Sequence, residues 1–240
     1  MTKIEAIKKI IEDNGGVVSW EVIYSNIEKY YTLLDVSTDW KAGIRGSLYR
    51  EIKTGKKFKK IGLGLFALKD YVEEEKPSQT DTARMHSYIE GICLEIGNFK
   101  NFLTYTADPN VKYRDNLTLG NVASISEIPP FSYPEIIREI KKTDVIWFNT
   151  KGLSFPQKIF EIVDSLGTLN NAFNRCLQLL NFRTEFFIVA PEQHKKKFLK
   201  TINLEPYKQN VEKFKFINYE QIIELYDNAF KVNKIEREIF

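Results

Sequence analysis

The chain has 240 residues, 43% of them apolar, enough for the packed core of one large domain or two modest ones, and a net charge of +3 that is too small to define a partner. Residues 1–16 alternate charged and apolar groups and hold no apolar run long enough for a signal peptide or a membrane span, so a soluble cytoplasmic protein is expected. Cys93 and Cys176 lie far apart among apolar neighbours, which argues against a zinc site or a disulfide framework and for buried free thiols.

Ile4, Ile7, Ile10 and Ile11 recur at helical spacing, and Asn14-Gly15-Gly16 ends that predicted helix with residues that tolerate positive φ. Ser19 is placed to cap a second helix carrying Val22, Ile23 and Ile27. Thr38 or Asp39 is placed to cap a third, from Trp40 to about Ile52, with Ile44, Leu48 and Ile52 on its buried side. Residues 58–61 and 65–68, separated by Gly62 and Gly64, read as a hairpin. Residues 41–60 hold Lys41, Arg45, Arg50, Lys53, Lys56, Lys57, Lys59 and Lys60 against the single acid Glu51, a concentration of charge that suits a polyanion or a solvated face.

Three helices and a basic hairpin resemble the winged helix known as HARE-HTH. The likeness rests on Ala6-Ile7-Lys8-Lys9-Ile10, Ile23-Tyr24, Leu48-Tyr49-Arg50-Glu51-Ile52 and Phe58 through Leu68. It implies that the third helix enters the DNA major groove with Lys41 and Arg45 near base edges or phosphates, while Lys56, Lys57, Lys59 and Lys60 of the wing meet phosphates. A winged helix used for protein contacts is the competing reading.

Residues 73–81 lack apolar side chains and include Pro77, which predicts a linker. Beyond it, Ile89, Ile92, Cys93 and Ile96 predict an amphipathic helix ending at Gly97, residues 102–106 a strand, 108–117 a polar excursion, and Pro134–Ile140 a short helix with proline in its first turn. Asp144-Val145-Ile146-Trp147-Phe148 reads as a strand headed by an acid, and 158–163 as a second strand with Glu161 inside an apolar run. A helix from about Leu169 to Leu180 and a strand over 185–190 follow. Two carboxylates from adjacent strands suit magnesium; alternatively, Asp144 caps its strand and Glu161 meets a structural arginine.

This order of elements resembles the PD-(D/E)XK nuclease core. His86-x-x-Ile89-Glu90-Gly91, Ile128-Pro129-x-Phe131, Asp144 through Phe148, Phe155-Pro156, Phe160-Glu161-Ile162-Val163 and Phe187 through Pro191 are similar to restriction-endonuclease-like proteins from about residue 84 to 220. The resemblance implies a mixed-sheet α/β domain over 84–240, joined by a linker at 73–83 to a separate winged helix over 1–72. It assigns Asp144, Glu161 and the Ile162 carbonyl to Mg2+, with Glu90 as an added acid, and implies cleavage of double-stranded DNA to 5′ phosphates by a homodimer. Val163 stands where the motif has lysine. Arg175, with Gln178 about a turn further on, is the candidate replacement; Lys158 faces the wrong side, and Asp164 would need a strand irregularity to reach the metal. A DNA-binding regulator that has lost cleavage, or a protein-interaction module, are the alternatives.

Overall fold

A computed structural model describes residues 1–32, 39–78 and 81–239. Thr38 of the helix-cap prediction, and Gln79 and Thr80 of the predicted linker, lie outside the described residues. Helix α1 (Lys3–Asp13) begins at a capping box in which Thr2 and Glu5 each accept the other's backbone N–H. Gly15 and Gly16 then turn the chain at positive φ into strand β1 (Val17–Ser19). Ser19 caps helix α2 (Trp20–Asn26) by accepting the Val22 N–H at 3.2 Å, and Asp39 caps helix α3 (Trp40–Thr54) by accepting the Ala42 N–H at 3.0 Å. Gly55, left-handed at φ 62°, closes α3. Strands β2 (Phe58–Lys60) and β3 (Leu65–Leu68) form the expected hairpin, and β1 adds to its other edge to give a three-stranded sheet in the order β1-β3-β2. The β1 pairing is too short to have shown as a pattern in the sequence.

Helix α4 (Thr82–Phe99) continues through Gly97, where a side chain would collide with Trp147 and Thr104, so this glycine permits close packing instead of ending the helix. Strand β4 (Leu103–Thr106) follows. The polar excursion opens into a small hairpin, β5 (Lys112–Arg114) and β6 (Leu117–Thr118), and a short helix α5 (Leu119–Val122) follows it. Helix α6 (Pro134–Ile140), strand β7 (Val145–Phe148) and strand β8 (Pro156–Ile162) lead to helix α7 (Leu169–Leu177). Beyond Leu177 the bonds tighten to i−3 spacing, as in Leu179 N–H to the Cys176 carbonyl at 3.0 Å, and the regular helix stops short of Leu180. Strand β9 (Glu185–Ala190), helix α8 (Lys195–Ile202), strand β10 (Phe214–Asn218) and helix α9 (Tyr219–Ile239) complete the chain.

The main sheet has the order β10-β9-β8-β7-β4; β4, β7 and β8 pair antiparallel, and β8, β9 and β10 parallel. Alternation sends Val145, Trp147, Phe160, Ile162, Phe187 and Val189 to a core shared with α4 and α9. Ile146, Phe148, Ile159, Val163, Phe186 and Ile188 enter the opposite core, with Phe173 of α7 and Phe198 of α8. The mixed α/β architecture is therefore as expected.

Ile61, Leu63, Leu65 and Ala67 of the N-terminal sheet lie in the same core as Tyr88 and Ile92 of α4. Buried Glu95 of α4 accepts hydrogen bonds from Leu63 N–H at 2.7 Å, Tyr113 Oη at 2.8 Å and Tyr226 Oη at 2.9 Å. Arg114 donates to the Ile61 carbonyl at 2.9 Å. Within the segment predicted as a linker, Asp115 accepts the Glu74 N–H at 2.9 Å and Lys76 pairs with Asp227 at 2.9 Å.

Candidate active site

β7 runs antiparallel to β8, so the head of β7 and the tail of β8 meet at one end of the sheet, where β9 and β10 also end. Asp144 sits there, and its Oδ2 accepts the Ile162 N–H at 2.6 Å. From the α4 side come His86 and Glu90, one turn apart on the helix. One ligand atom from each of His86, Glu90 and Asp144 falls within 4.8 Å of the others.

Glu90 is 1% exposed, and its Oε1 has no hydrogen-bond partner among the described residues; His86 Nε2 lies 3.8 Å away. Burial, with repulsion from Asp144, pushes the Glu90 carboxyl up to about 9. Burial likewise raises Asp144, partly offset by His86 and the Ile162 amide. His86 Nδ1 donates to Asp164 Oδ2 at 2.6 Å, and Tyr219 Oη donates to Asp164 Oδ1 at 2.5 Å. Desolvation opposes protonation of His86, but Asp164 and the surrounding carboxylates outweigh it and lift the imidazole to about 9. Asp164 is lowered: its hydrogen bonds from His86 and Tyr219 overcome its desolvation.

Glu161 points to the α7 face and is fully buried. Arg175 of α7 meets it with two nitrogens, Nε to Oε1 at 2.7 Å and Nη2 to Oε2. Burial nevertheless pushes Glu161 up to about 8, against the pull of Arg175, while the bond to Glu161 raises Arg175. Val163 is 1% exposed among apolar side chains, and its carbonyl lies 3.3 Å from His194 Nδ1. Of the residues expected at the metal, Asp144 and Glu90 come together and Ile162 lies beside them. Glu161 is engaged by Arg175, outside the group of three.

From the sequence His86 enters only as part of the restriction-endonuclease-like likeness, Asp164 only as an acid that needs a strand irregularity to reach the metal, and Tyr219 not at all. The spacing of His86 and Glu90, two polar groups on one face of a largely apolar helix, was the available signal. Asp164 reaches the site because β8 ends at Ile162, after which strand alternation no longer directs its side chain.

The basic residues divide between two surfaces. Lys41 Nζ lies 5.0 Å from the Tyr24 ring centroid, and Arg45 reaches Tyr24 Oη at 3.3 Å and Asp39 at 3.7 Å. These two cations line a groove shared with Glu21, which burial raises to about 7. Lys56 and Lys57 are exposed at the start of the hairpin, Lys59 pairs with Glu73 at 3.3 Å, and Lys60 turns inward to Asn233 of α9. No described helix is long and apolar enough to cross a membrane.

No curated protein and no solved structure matches this chain. Residues 68–240 match the family described as the type II restriction enzyme NmeDI C-terminal domain, a span that begins at the last residue of β3 and takes in the whole five-stranded sheet and the acidic site. With well over half of its length matched, the chain belongs to this restriction-enzyme family.

Proposed function

We propose that the chain is a Mg2+-dependent DNA endonuclease of restriction type, hydrolysing phosphodiesters of double-stranded DNA to leave 5′ phosphates. In this reading residues 84–240 carry the chemistry, residues 1–72 act as a winged helix on DNA, and residues 73–83 join them. A cytoplasmic homodimer fits the need for one site per strand. The observation that carries the reading is the buried, unpartnered oxygen of Glu90 beside Asp144. Two acids packed this closely repel each other, and a divalent cation is the partner that relieves both.

Glu90 and Asp144 supply the hard oxygen donors that Mg2+ prefers. The Ile162 carbonyl is a third, because an extended residue turns its N–H and C=O to the same edge and the Ile162 N–H already meets Asp144. A Mg2+ ion bound there would polarise the phosphate and lower the pKa of a water. Asp164 fixes Nδ1 of His86, leaving Nε2–H of the imidazolium on the Glu90 side to bind a phosphate oxygen. Arg175 holds Glu161 in place and supplies, from α7, the positive charge that Val163 does not. On the DNA side, Lys41, Arg45, Lys56, Lys57, Lys59 and Lys60 are the proposed contacts, with Lys56 and Lys57 best exposed to phosphates.

Supercoiled plasmid incubated with Mg2+, Mn2+ or EDTA tests the proposal. Cutting is expected with metal only, and Asp144→Asn and Glu90→Gln are each expected to lose activity by roughly a hundredfold or more while still binding DNA in EDTA. A second reading, a DNA-binding regulator that does not cleave, is favoured by the apolar burial of Val163 and the closed Glu161–Arg175 pair. Salt-dependent DNA binding with no nicking by either metal would decide for it.

A further inference from the structure

The C-terminal half of α3, strand β2 and helix α9 enclose a cleft of about 830 Å³. Six cations line it, Arg50, Lys53, Lys59, Lys60, Lys69 and Lys234, and among the described residues no carboxylate does. Glu73, which is not among the lining residues, reaches Lys59 at 3.3 Å. Phe58, 1% exposed, and Tyr49 and Phe230 make the apolar walls. Lys60 Nζ lies 5.7 Å from the Phe230 ring centroid and bonds Asn233, so β2 and α9 are joined across the cleft. Lys41 and Arg45 are not part of this surface; they line the other groove.

Like charges gathered in one concavity repel one another, and within a Debye length of about 8 Å salt screens them only in part. A polyanion relieves that repulsion, and a rigid aromatic wall holds the cations where an anion can use them all. We infer that this cleft seats the phosphate backbone of duplex DNA on a composite surface, with Arg50 and Lys53 of α3 and Lys234 of α9 as contacts in addition to the hairpin lysines. The inference rests on the proposed action on DNA and deepens it. The backbone is gripped by both the N-terminal segment and the last helix, so neither part presents the complete surface alone.

Duplex DNA of mixed sequence, titrated with the full chain in EDTA over a series of salt concentrations, tests this. Arg50, Lys53 and Lys234 are exposed and belong to none of the apolar cores, so Arg50→Ala/Lys53→Ala/Lys234→Ala removes charge without cutting into them. The slope of log K against log salt is expected to fall by about 0.9 for each cation that meets a phosphate, and affinity at low salt by roughly tenfold or more. Lys196→Ala/Lys197→Ala/Lys208→Ala removes the same charge from exposed positions on α8 and just beyond it, and is expected to leave the slope unchanged. An unaltered slope in the first variant, or an equal loss in the second, overturns the cleft assignment while leaving DNA binding itself standing. Absence of salt-dependent binding by the wild type overturns the DNA reading and the inference with it. Lys234→Glu alone is expected to weaken binding severalfold; no effect would remove α9 from the surface. Circular dichroism of each variant separates loss of contact from loss of fold.

Discussion

At the scale of single residues, the site is defined by where protons sit. Glu90 and His86 are both raised to about 9, Glu90 by burial and Asp144, His86 by Asp164 and the other carboxylates against its own desolvation. In the unfolded chain Glu90 titrates near 4.5 and His86 near 6.5, so between those values and pH 9 the native state holds protons that the unfolded state has released. Stability from both groups is complete below the unfolded values and lost as pH rises toward 9. Urea unfolding in EDTA should therefore show stability declining from pH 5 to 9, and Glu90→Gln should flatten the decline. Mg2+ or Mn2+ should displace these protons and stabilise most at the alkaline end; equal stabilisation at pH 5 and pH 9 would count against a carboxylate site.

Arg175 and Val163 give a second residue-scale expectation. Removing Arg175 leaves Glu161 buried and uncompensated, so Arg175→Ala should cost about 3–5 kcal/mol in urea unfolding, and adding Glu161→Leu should recover most of it. From the sequence, Val163→Lys restores the residue that the nuclease motif expects. Because Val163 is packed among apolar side chains, the lysine ammonium has no aqueous exit, and loss of stability is expected instead of gained activity.

At the scale of elements, what the sequence made legible follows from how local each signal is. Ser19 and Asp39 act within three residues of themselves, and the apolar runs 145–148 and 186–190 are buried on both faces, so caps and strands are where the local pattern places them. The β5–β6 hairpin lies in polar sequence, β1 is only three residues long, and β10 and α9 carry no uninterrupted pattern; these depend on tertiary pairing and were not read. The site shows the same division. Asp144 and Glu161 stand out as acids on adjacent apolar strands and Glu90 through motif resemblance, whereas Asp164 and Tyr219 meet His86 only because β8, α9 and α4 converge. Two helix glycines, Gly91 of α4 and Gly43 of α3, test the packing argument. A Cβ at Gly91 would lie 2.2 Å from the Tyr113 ring, so Gly91→Ala should displace the β5–β6 hairpin and cost roughly 1–3 kcal/mol. Gly43, exposed on α3 with only the Lys3 ammonium within reach, is the internal comparison: Gly43→Ala should stabilise by about 0.5–1 kcal/mol in the same assay.

At the scale of the whole molecule, the apolar sequence gap at 73–81 predicts two bodies on a tether, yet a single apolar core takes Ile61, Leu63, Leu65 and Ala67 from one side of that gap and Tyr88, Ile92 and Ile222 from the other. Glu95 reinforces this junction. Its carboxylate is fully desolvated, which raises its pKa, and it keeps its place by accepting from Leu63, Tyr113 and Tyr226. Division of labour between residues 1–72 and 84–240 is compatible with cooperative folding only if opening the junction costs as much as unfolding either side. The three tryptophans make that measurable, since Trp20 and Trp40 report on the N-terminal segment and Trp147 on the main sheet. Unfolding of Trp147→Phe, followed by the two N-terminal tryptophans, should share its urea midpoint with Trp20→Phe/Trp40→Phe followed by Trp147, after correction for the stability cost of each substitution. Leu63→Ala should move both midpoints together, because it cuts a cavity into the shared core. Separate midpoints, with Leu63→Ala shifting only the N-terminal signal, would show that the two segments fold independently and that the composite DNA surface forms only when they dock.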